Sequence, residues 1–412
     1  MRRVVVTGIG TVNPIGNDAK AYWQALITGK NGIGNLTRFD AGDYKVSLAA
    51  EVKDFDPLQY FEKNEIRKTD LFVQYGLASA TQAMADSGIE GAVDPERLGV
   101  YFGSGVGGMI TMSTEIGKLN EKGLRRVSPH FTPMMMANAA GANIAIRFGA
   151  KGANIPVVTA CATSANTIGE AYRAIRHGYL DAIIAGGAEA VITPIALGGF
   201  GNMTALTTSD DPDAASIPFD LRRSGFVMGE GAGALILEDY EHAKNRGAKM
   251  YGELCGYGTT GDAYHETAPD PDATQAARSI TLCMEEAGLT PENLIYINAH
   301  GTSTPLNDVM ETKAIKLAFG DETENVLISS TKSMTGHTLG AAGAIEGIAA
   351  LLAVKEGIVP PTIGYREPDP ELDLDYVPNE ARRVQVDAAL STSFGFGGHN
   401  ACLAFRKVED AQ

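Results

Sequence analysis

The sequence lacks several features that would narrow its function at once. Cysteine occurs four times in 412 residues, at positions 161, 255, 283 and 402, with no Cys-x-x-Cys spacing. This wide spacing argues against a zinc site and against a disulfide scaffold, and thiols so placed suit a reducing compartment. Positive charge is also scarce: 34 Lys and Arg stand against 50 Asp and Glu, a net charge of −16. This balance argues against a general nucleic-acid binder, which would need a basic face, although it allows a local basic patch.

No stretch of the sequence is apolar over the length that a membrane-spanning helix needs. The longest mostly apolar run, 182–201, is interrupted by a glutamate, a proline and several glycines. The first residues include Arg2 and Arg3 but no long apolar segment typical of a signal peptide. The sequence therefore predicts a cytoplasmic protein with neither a membrane nor a nucleic acid as partner.

The chain does have a regular alternation of β-branched apolar runs and amphipathic segments. This alternation predicts an α/β fold in which a parallel sheet carries helices on both faces. The pattern begins again near residue 251, so we predict an internal duplication into two halves, 1–250 and 251–412. The chain is 44% hydrophobic and 20% charged, a balance that suits a large globular core.

A glycine pair near the start resembles part of a nucleotide-binding turn. Gly8-Ile9-Gly10 follows the first predicted strand, but Asn13 occupies the third glycine position and Pro14 cannot continue a helix. A match to only part of this motif is weak evidence for nucleotide binding. We therefore predict an ordinary tight turn after this strand.

One stretch combines an apolar run with a cysteine. The β-branched residues from Ile155 to Ala160 predict a buried strand, and apolar residues at helical spacing follow Cys161. Cys161 is therefore predicted at the beginning of a helix, where the helix dipole and the free N–H groups favour a nucleophilic thiolate. The alternative is that Cys161 is simply a small buried hydrophobic residue.

Further polar groups follow predicted strands of the second half. His300 lies in the turn after one strand, Lys332 and His337 follow the next, and the segment 394–399 follows the last. Ligands bind at the carboxyl ends of strands in open α/β sheets. A cysteine that accepts an acyl group and two His N–H groups that stabilise an enolate oxygen would perform acyl-thioester chemistry. Each histidine taken alone is more often a structural residue.

Four motifs together identify a family. They are Thr159–Cys161, Asn298–Pro305, Ser330–His337 and Ser393–Asn400. In combination they resemble the elongating β-ketoacyl-acyl-carrier-protein synthases, and most closely the synthase II type of dissociated bacterial fatty acid synthesis. The resemblance covers nearly the whole chain.

The resemblance implies a fold, an activity and partners. The fold would be thiolase-like, with two duplicated halves in a five-layer αβαβα architecture, and the enzyme would be an obligate homodimer. The activity would be a decarboxylative Claisen condensation, in which an acyl group on Cys161 joins malonyl carrier protein to give 3-oxoacyl carrier protein, carbon dioxide and free carrier. Substrates would arrive on the phosphopantetheine arm of an acidic acyl carrier protein. No cofactor and no catalytic metal are implied, and Glu346 matches a structural acidic residue that lies near a bound cation in some relatives.

The same resemblance assigns roles to single residues. Those that match catalytic positions are the nucleophile Cys161, the decarboxylation pair His300 and His337, the active-site lysine Lys332 with Glu311 as its ion partner, and the gate Phe396. The backbone N–H groups of Cys161 and Phe396 match the oxyanion hole. Those that match substrate contacts are Thr302 and Thr304 for phosphopantetheine, and Val106, Phe200 and Leu339 for the acyl tunnel.

Two small basic groups offer an acidic carrier a place to dock. They are Arg67 with Lys68, and Arg125 with Arg126. A local positive patch would reverse the repulsion expected from a net charge of −16. Some relatives carry an arginine where this chain has Thr204, so docking is expected to depend on the two basic groups instead.

Several related activities compete with this interpretation. A polyketide-type ketosynthase would perform the same chemistry, and a non-catalytic chain-length factor would lack the cysteine. A thiolase would carry a second catalytic cysteine in the C-terminal glycine-rich loop, where this chain has Phe396 and His399. Initiating synthases pair the cysteine with one histidine and one asparagine, whereas this chain has both histidines.

Overall fold

The computed structural model describes residues 1–42 and 44–409, so the last three residues of the predicted second half lie outside it. The strands are β1 (Val4–Val12), β2 (Gly34–Asn35), β3 (Leu48–Ala49), β4 (Leu98–Gly103), β5 (Ala182–Glu189), β6 (Gly231–Asp239), β7 (Gly252–Gly261), β8 (Ile295–Asn298), β9 (Val326–Ser329), β10 (Ile358–Val359), β11 (Arg382–Arg383), β12 (Ala388–Gly395) and β13 (His399–Arg406). In this part of the chain, nine of them form one sheet in the order β4-β5-β6-β1-β7-β13-β12-β8-β9.

The helices alternate with these strands. The α-helices are α1 (Ala19–Ile27), α2 (Lys63–Ile66), α3 (Leu71–Ser87), α4 (Met109–Lys122), α5 (Phe131–Met135), α6 (Ala139–Phe148), α7 (Thr163–Arg176), α8 (Pro194–Asn202), α9 (Tyr240–Asn245), α10 (Thr274–Ala287), α11 (Pro305–Phe319), α12 (Lys332–Thr335) and α13 (Ala342–Glu356). Short 3₁₀ helices span Pro57–Gln59, Pro95–Arg97, Leu124–Arg126, Ala160–Ala162, Pro212–Ala214, Gly320–Asn325 and Leu339–Ala341. No helix within 1–42 or 44–409 is both long and apolar enough to cross a bilayer.

The sheet is mixed, so the prediction of a parallel sheet is wrong for its centre. Parallel pairs occur at the two ends, between β4 and β5 and along β12, β8 and β9. The central pairs are antiparallel. The reason is visible at β12 and β13, which a turn of three residues joins. So short a connection can only produce an antiparallel hairpin, whereas a parallel pair needs a crossover.

The elements stack in five layers. Helices α3 and α6 cover one face of the sheet formed by β4, β5, β6 and β1, and α10 and α11 cover the outer face of the remaining strands. Helices α7 and α13 lie between the two sets of strands and contact both. This arrangement is the predicted αβαβα fold. The first four strands come from residues before 250 and the other five from residues after it, and β1 and β7 join them through three residue pairs.

The glycine pair in the first strand serves packing. Strand β1 continues through Gly8 and Gly10 to Val12, with a shift in its pairing to β6 between Val6 and Gly8, so the predicted tight turn is wrong. A side chain at Gly10 would come within 2.1 Å of the Ser79 carbonyl oxygen of α3. Gly258 in β7 bears the same relation to Ser279 in α10, at 1.9 Å. In each half, glycine therefore lets one helix lie directly on the strand, which is the duplication expressed in packing.

Candidate active site

A cavity of about 360 Å³ opens at the carboxyl ends of several strands. It brings together four of the predicted catalytic residues, because Cys161, His300, His337 and Phe396 all line it. Its wall is mostly apolar, with Phe200 on one side. The predicted convergence of cysteine and histidines at one edge of the fold is therefore observed in the geometry.

Cys161 sits in a strained turn. It is the middle residue of the 3₁₀ helix Ala160–Ala162, directly before α7. Ala160 has φ +51°, in the left-handed region that is costly for a residue with a side chain. The Thr163 hydroxyl accepts the Thr159 N–H at 2.9 Å and so helps to hold the turn. This geometry presents the Cys161 side chain to the cavity.

The predicted buried strand before Cys161 is absent from this part of the structure. Residues 155–159 belong to no strand; Asn154 forms an isolated bridge to Val100 of β4, and the Ile155 N–H donates to the Val100 carbonyl at 2.9 Å. Ile155 and Val158 are 43% and 53% exposed. The β-branched run looked like a core strand because periodicity records apolarity and not what covers it.

The thiolate prediction for Cys161 is also corrected. Burial raises the pKa of the Cys161 thiol to about 12, and the nearby carboxylate of Glu189 adds to this rise. The charge of Lys332 and the backbone N–H groups of Phe396 and of Cys161 itself act in the opposite direction. Desolvation outweighs these donors. The resting side chain is therefore a thiol, which loses its proton only when it reacts.

The two histidines face each other beside the thiol. Their ring centroids lie 5.2 Å apart with the planes nearly perpendicular, and both residues are buried. Burial, together with the charge of Lys332, lowers the pKa of His300 and of His337 well below the usual value. Both rings are therefore neutral near neutral pH and each carries one N–H. Both Nδ1 atoms are enclosed and have no hydrogen-bond partner among the described residues, which leaves Nε2 for a substrate to reach.

Lys332 pairs with a different carboxylate from the one predicted. Its Nζ donates to Glu346 Oε1 on α13, and both side chains are almost fully buried. The prediction of Glu311 as ion partner is wrong. Burial raises the pKa of Glu346 to about 7, and the charge of Lys332 opposes that rise. Ala342, Glu346 and Ala350 are spaced four residues apart along α13 and therefore lie on one face of this helix. That face points to the centre of the fold, where the Lys332 side chain also ends.

Glu311 instead supports the backbone of the histidine loop. Its carboxylate accepts the N–H of His300 at 2.8 Å and that of Gly301 at 2.6 Å. Thr392 on β12 donates its hydroxyl to the same carboxylate at 2.8 Å. A buried carboxylate with three such donors fixes the position of His300 without contacting the cavity.

The predicted substrate contacts divide into two groups. Thr302 and Thr304 line the mouth of the cavity with their hydroxyl oxygens 2.8 Å apart, and Phe200 and Leu339 line its wall. Val106 is not among the lining residues and is 39% exposed. The place of Val106 in the acyl tunnel therefore stays a prediction.

Phe396 closes one side of the cavity. Its ring is half-buried and lies 6.3 Å from that of Phe200. The following residues, Gly397 and Gly398, have φ of +87° and +72°. The Gly397 N–H donates to the Glu266 carbonyl at 2.8 Å, so the loop that carries Phe396 is tied to the segment 262–266.

Two polar residues beside the turn Ala160–Ala162, which we call the nucleophile turn, were not predicted from the sequence. The Asn166 side chain donates to the Thr159 hydroxyl at 2.8 Å and accepts the Tyr257 hydroxyl at 2.7 Å. Glu189 is fully buried at the end of β5. A charged residue at the end of an apolar strand was the available signal for Glu189. Nothing in the sequence distinguishes Asn166 from other polar residues of a helix.

The predicted docking residues are all on the surface. Arg67, Lys68, Arg125 and Arg126 are exposed. Arg67 lines a surface cavity together with Lys118 and Ser128, which flank the second basic group in sequence. The same cavity reaches Pro194 at the start of α8, the helix that carries Phe200 to the first cavity.

Comparison with known proteins agrees with this geometry. Family models described as the N-terminal and C-terminal domains of β-ketoacyl synthase match residues 1–243 and 251–366. The chain is 51% identical over 410 residues to a 3-oxoacyl-[acyl-carrier-protein] synthase 2 from Synechocystis sp., and 48% identical over 411 residues to the one from Coxiella burnetii, with 99% of each chain covered in both cases.

Solved structures give the same result. A β-ketoacyl synthase from Burkholderia phymatum superimposes with a TM-score of 0.92 at 35% identity, covering 99% of this chain and 100% of that one. A ketosynthase of a type II polyketide system, solved with its acyl carrier protein, superimposes with a TM-score of 0.92 at 34% identity and the same coverage.

Proposed function

Because this chain belongs to the β-ketoacyl synthase family and is a condensing enzyme of fatty acid elongation, we propose that its reaction proceeds through an acyl thioester on Cys161. The observation that supports this most directly is the cavity in which Cys161 meets His300 and His337. A thiol beside two neutral N–H donors suits acyl transfer followed by decarboxylation.

The first half of the reaction is acyl transfer. The Cys161 sulfur attacks the carbonyl carbon of an acyl thioester on the carrier as its own proton leaves. The carbon–sulfur bond to the phosphopantetheine arm breaks, and the departing sulfur takes up a proton. The tetrahedral oxyanion between these steps lies where the N–H groups of Cys161 and Phe396 can donate to it, because both N–H groups already point at the sulfur.

The second half joins the malonyl unit. Its carboxylate leaves as carbon dioxide, and the electron pair moves onto the thioester oxygen as an enolate. The N–H groups of His300 and His337 stabilise that oxygen. The enolate carbon then attacks the acyl carbonyl on Cys161, the sulfur leaves and regains a proton, and the 3-oxoacyl thioester departs on its carrier.

One incubation tests this proposal. The protein is mixed with an acyl carrier protein loaded with a saturated chain and with malonyl carrier protein, and the carriers are read by mass spectrometry. We expect a 3-oxoacyl carrier two carbons longer than the primer, with an acyl-Cys161 peptide when malonyl carrier is left out. Acetyl carrier in place of malonyl carrier is the control and should give no product. Failure to elongate any primer would refute the proposal.

A polyketide-type activity is less well supported. The chain is 51% identical to a 3-oxoacyl-[acyl-carrier-protein] synthase 2 but 34% identical to the ketosynthase of the polyketide system. The presence of Cys161 in the cavity argues against a chain-length factor, which would lack this cysteine. A 3-oxoacyl primer distinguishes a polyketide ketosynthase from a fatty acid elongation enzyme. A polyketide ketosynthase extends this primer, whereas this protein should prefer the saturated primer.

We propose that an acyl carrier protein docks on Arg67, Lys68, Arg125 and Arg126. Reversing the charge at Arg67 and Lys68 should raise KM for carrier-bound substrates about tenfold or more, because steering by exposed charges changes association rates by that order. Coenzyme A thioesters should be affected little, and measuring both substrates checks this. Lys30→Glu is the matched control. Equal loss on both substrates would place docking elsewhere.

Phe396 is proposed to gate the malonyl side of Cys161. In Phe396→Ala, release of carbon dioxide without an acyl donor should rise relative to condensation, because the ring no longer shields the thiol region from malonyl carrier. The ratio of the two rates, measured with labelled malonyl carrier, checks this. Phe394→Leu, which changes a buried ring beside His300, is the control for loss of packing. An unchanged ratio in a folded Phe396→Ala protein argues for fixed packing.

A homodimer is proposed from apolar residues that are exposed beside β4, one of the two edge strands of the sheet. Residues 152–155 already hydrogen-bond to Leu98 and Val100 of β4, and Ile155 and Val158 are exposed next to this strand. Exposed apolar patches are unfavourable unless another chain covers them. Val158→Glu should convert the dimer to a monomer in analytical ultracentrifugation. Leu317→Glu, at a residue 54% exposed on α11, should leave it intact. A dimer in both variants would contradict this interface.

We propose that no cofactor is needed beyond the phosphopantetheine arm, since no proposed step changes an oxidation state. The structural cation near Glu346 stays a prediction. Glu346 Oε2 is buried without a hydrogen-bond partner in the described part of the chain, and is the oxygen at which such a cation would bind. A cytoplasmic location is proposed because the thiol of Cys161 must stay reduced to react.

A further inference from the structure

Glu189 is a buried carboxylate for which the proposed reaction has no use. It ends β5 with no exposed surface. Its Oε1 accepts the Ser104 hydroxyl at 2.7 Å and the Val106 N–H at 3.3 Å, and its Oε2 accepts the N–H of Gly105 at 2.9 Å and of Gly340 at 3.0 Å. Four donors around two oxygens suit an ionised carboxylate and no neutral side chain of the same shape.

These donors belong to two loops that meet the nucleophile turn. Gly105 lies against it, since a side chain there would come 3.2 Å from the Ala160 carbonyl oxygen. Gly340 directly follows Leu339, which lines the cavity and has φ +50°. The Glu189 carboxylate therefore joins the turn that carries Cys161 to the residue that shapes the acyl wall.

The charge of Glu189 also acts on the nucleophile. The charged groups that bear on the Cys161 thiol are Lys332, which favours the thiolate, and Glu189, which disfavours it. His300 and His337 share the cavity but are neutral. Burial raises the pKa of Glu189 to about 7, and the four hydrogen bonds oppose that rise. Above neutral pH the carboxylate is therefore mostly ionised.

We propose that Glu189 is a positioning residue that locks the nucleophile turn to Leu339, and that its negative charge keeps Cys161 in the thiol form until substrate arrives. This inference rests on the proposed role of Cys161 as nucleophile. Because the alkylation of a thiol does not require condensing activity, the following test can fail independently of the proposed function.

The test is the pH dependence of Cys161 alkylation by iodoacetamide, followed on the Cys161 peptide by mass spectrometry. In Glu189→Gln the rate near pH 8.5 should rise about tenfold, because removal of a nearby negative charge lowers the thiol pKa by roughly one unit or more. Selectivity among acyl chain lengths in self-acylation should fall in Glu189→Ala, because that variant leaves the Gly340 N–H without its acceptor and so releases Leu339. An unchanged alkylation profile with unchanged selectivity would overturn the proposal.

Two further variants keep the test decisive. Glu238→Gln removes another fully buried carboxylate at the far end of the neighbouring strand β6, opposite Ala182, and should leave the Cys161 profile unchanged. An equal shift in this control would assign the effect to general loosening and overturn the proposal. If Glu189→Gln does not fold, Ser104→Ala replaces it. Loss of this donor keeps Glu189 protonated to higher pH, so alkylation should accelerate near pH 7 to 8 and approach the wild-type rate near pH 9.5. An unshifted Ser104→Ala profile would also count against the charge effect.

Discussion

Cys161→Ala should abolish acyl transfer, with condensation reduced on the order of a million-fold, as found when a covalent nucleophile is removed from an enzyme. Wild-type protein incubated with acyl carrier should gain one acyl mass, and Cys161→Ala should gain none. The expectation follows from the turn Ala160–Ala162, which presents this sulfur to the cavity. The other three cysteines are buried, so no second thiol can replace it.

The control for this variant is Cys255→Ala. Cys255 is 4% exposed and its Sγ lies 3.3 Å from the Ala404 carbonyl oxygen. Its loss should lower stability slightly and leave acylation intact. Acylation of a peptide that contains Cys255, Cys283 or Cys402 in the Cys161→Ala protein would remove Cys161 from the mechanism.

Replacing either histidine by alanine should cost about a hundredfold or more in malonyl decarboxylation, the usual loss for one oxyanion donor. Self-acylation should persist in both variants, because the oxyanion of that step binds backbone N–H groups and not the imidazoles. Release of labelled carbon dioxide and the acyl mass on Cys161 measure the two steps separately. His300→Asn and His337→Asn keep an N–H donor and should lose less. Unchanged decarboxylation in both alanine variants would exclude the enolate role.

The protonation state of the histidines predicts how decarboxylation responds to pH. An ordinary histidine becomes charged as the pH falls through about 6.5. The pKa values of His300 and His337 are lowered by burial and by Lys332, so the neutral form persists below that pH. We expect the wild-type decarboxylation rate to show no histidine inflection between about pH 6 and pH 8. A decline centred near pH 6.5 that is present in the wild type and absent from one of the histidine variants would show that this ring is solvated.

The sequence predicted the site well where chemistry follows a strand in a recognisable motif. His300, His337 and Phe396 all lie at the cavity that contains Cys161, because they follow β8, β9 and β12, which are parallel and end at the same edge of the sheet. The alternation of helices and strands was also predicted, apart from the absent strand before Cys161, since apolar periodicity reports the buried face of each element.

Partners that meet only through tertiary packing were not predicted. Lys332 finds Glu346 because α13 lies in the central layer, whereas Glu311 belongs to α11 in an outer layer. The spacing of residues along the chain does not show in which layer of the fold a helix lies. The Cys161 pKa was misjudged for a related reason: the helix position is local, but the desolvation that raises the pKa comes from the whole fold.

The same limit explains the run 155–159. Its apolar residues predict burial, and a single chain leaves two of them exposed. An apolar sequence pattern indicates which residues need to be buried, whereas the structure of one chain shows which of them that chain buries itself. The apolar residues that stay exposed in one chain mark the surface proposed for the second copy.

The duplicated turns Ala160–Ala162 and Leu339–Ala341 have a consequence for how such an enzyme can change. Both begin with a residue in the left-handed region and both lead into a central helix, so the fold offers two equivalent places for a nucleophile. Only one is open. A side chain at Gly340, the counterpart of Cys161, would come 2.4 Å from the Gly105 nitrogen and 2.6 Å from Glu189 Oε2. The substitution Gly340→Cys alone would therefore collide with these atoms and could not create a second working centre in this chain.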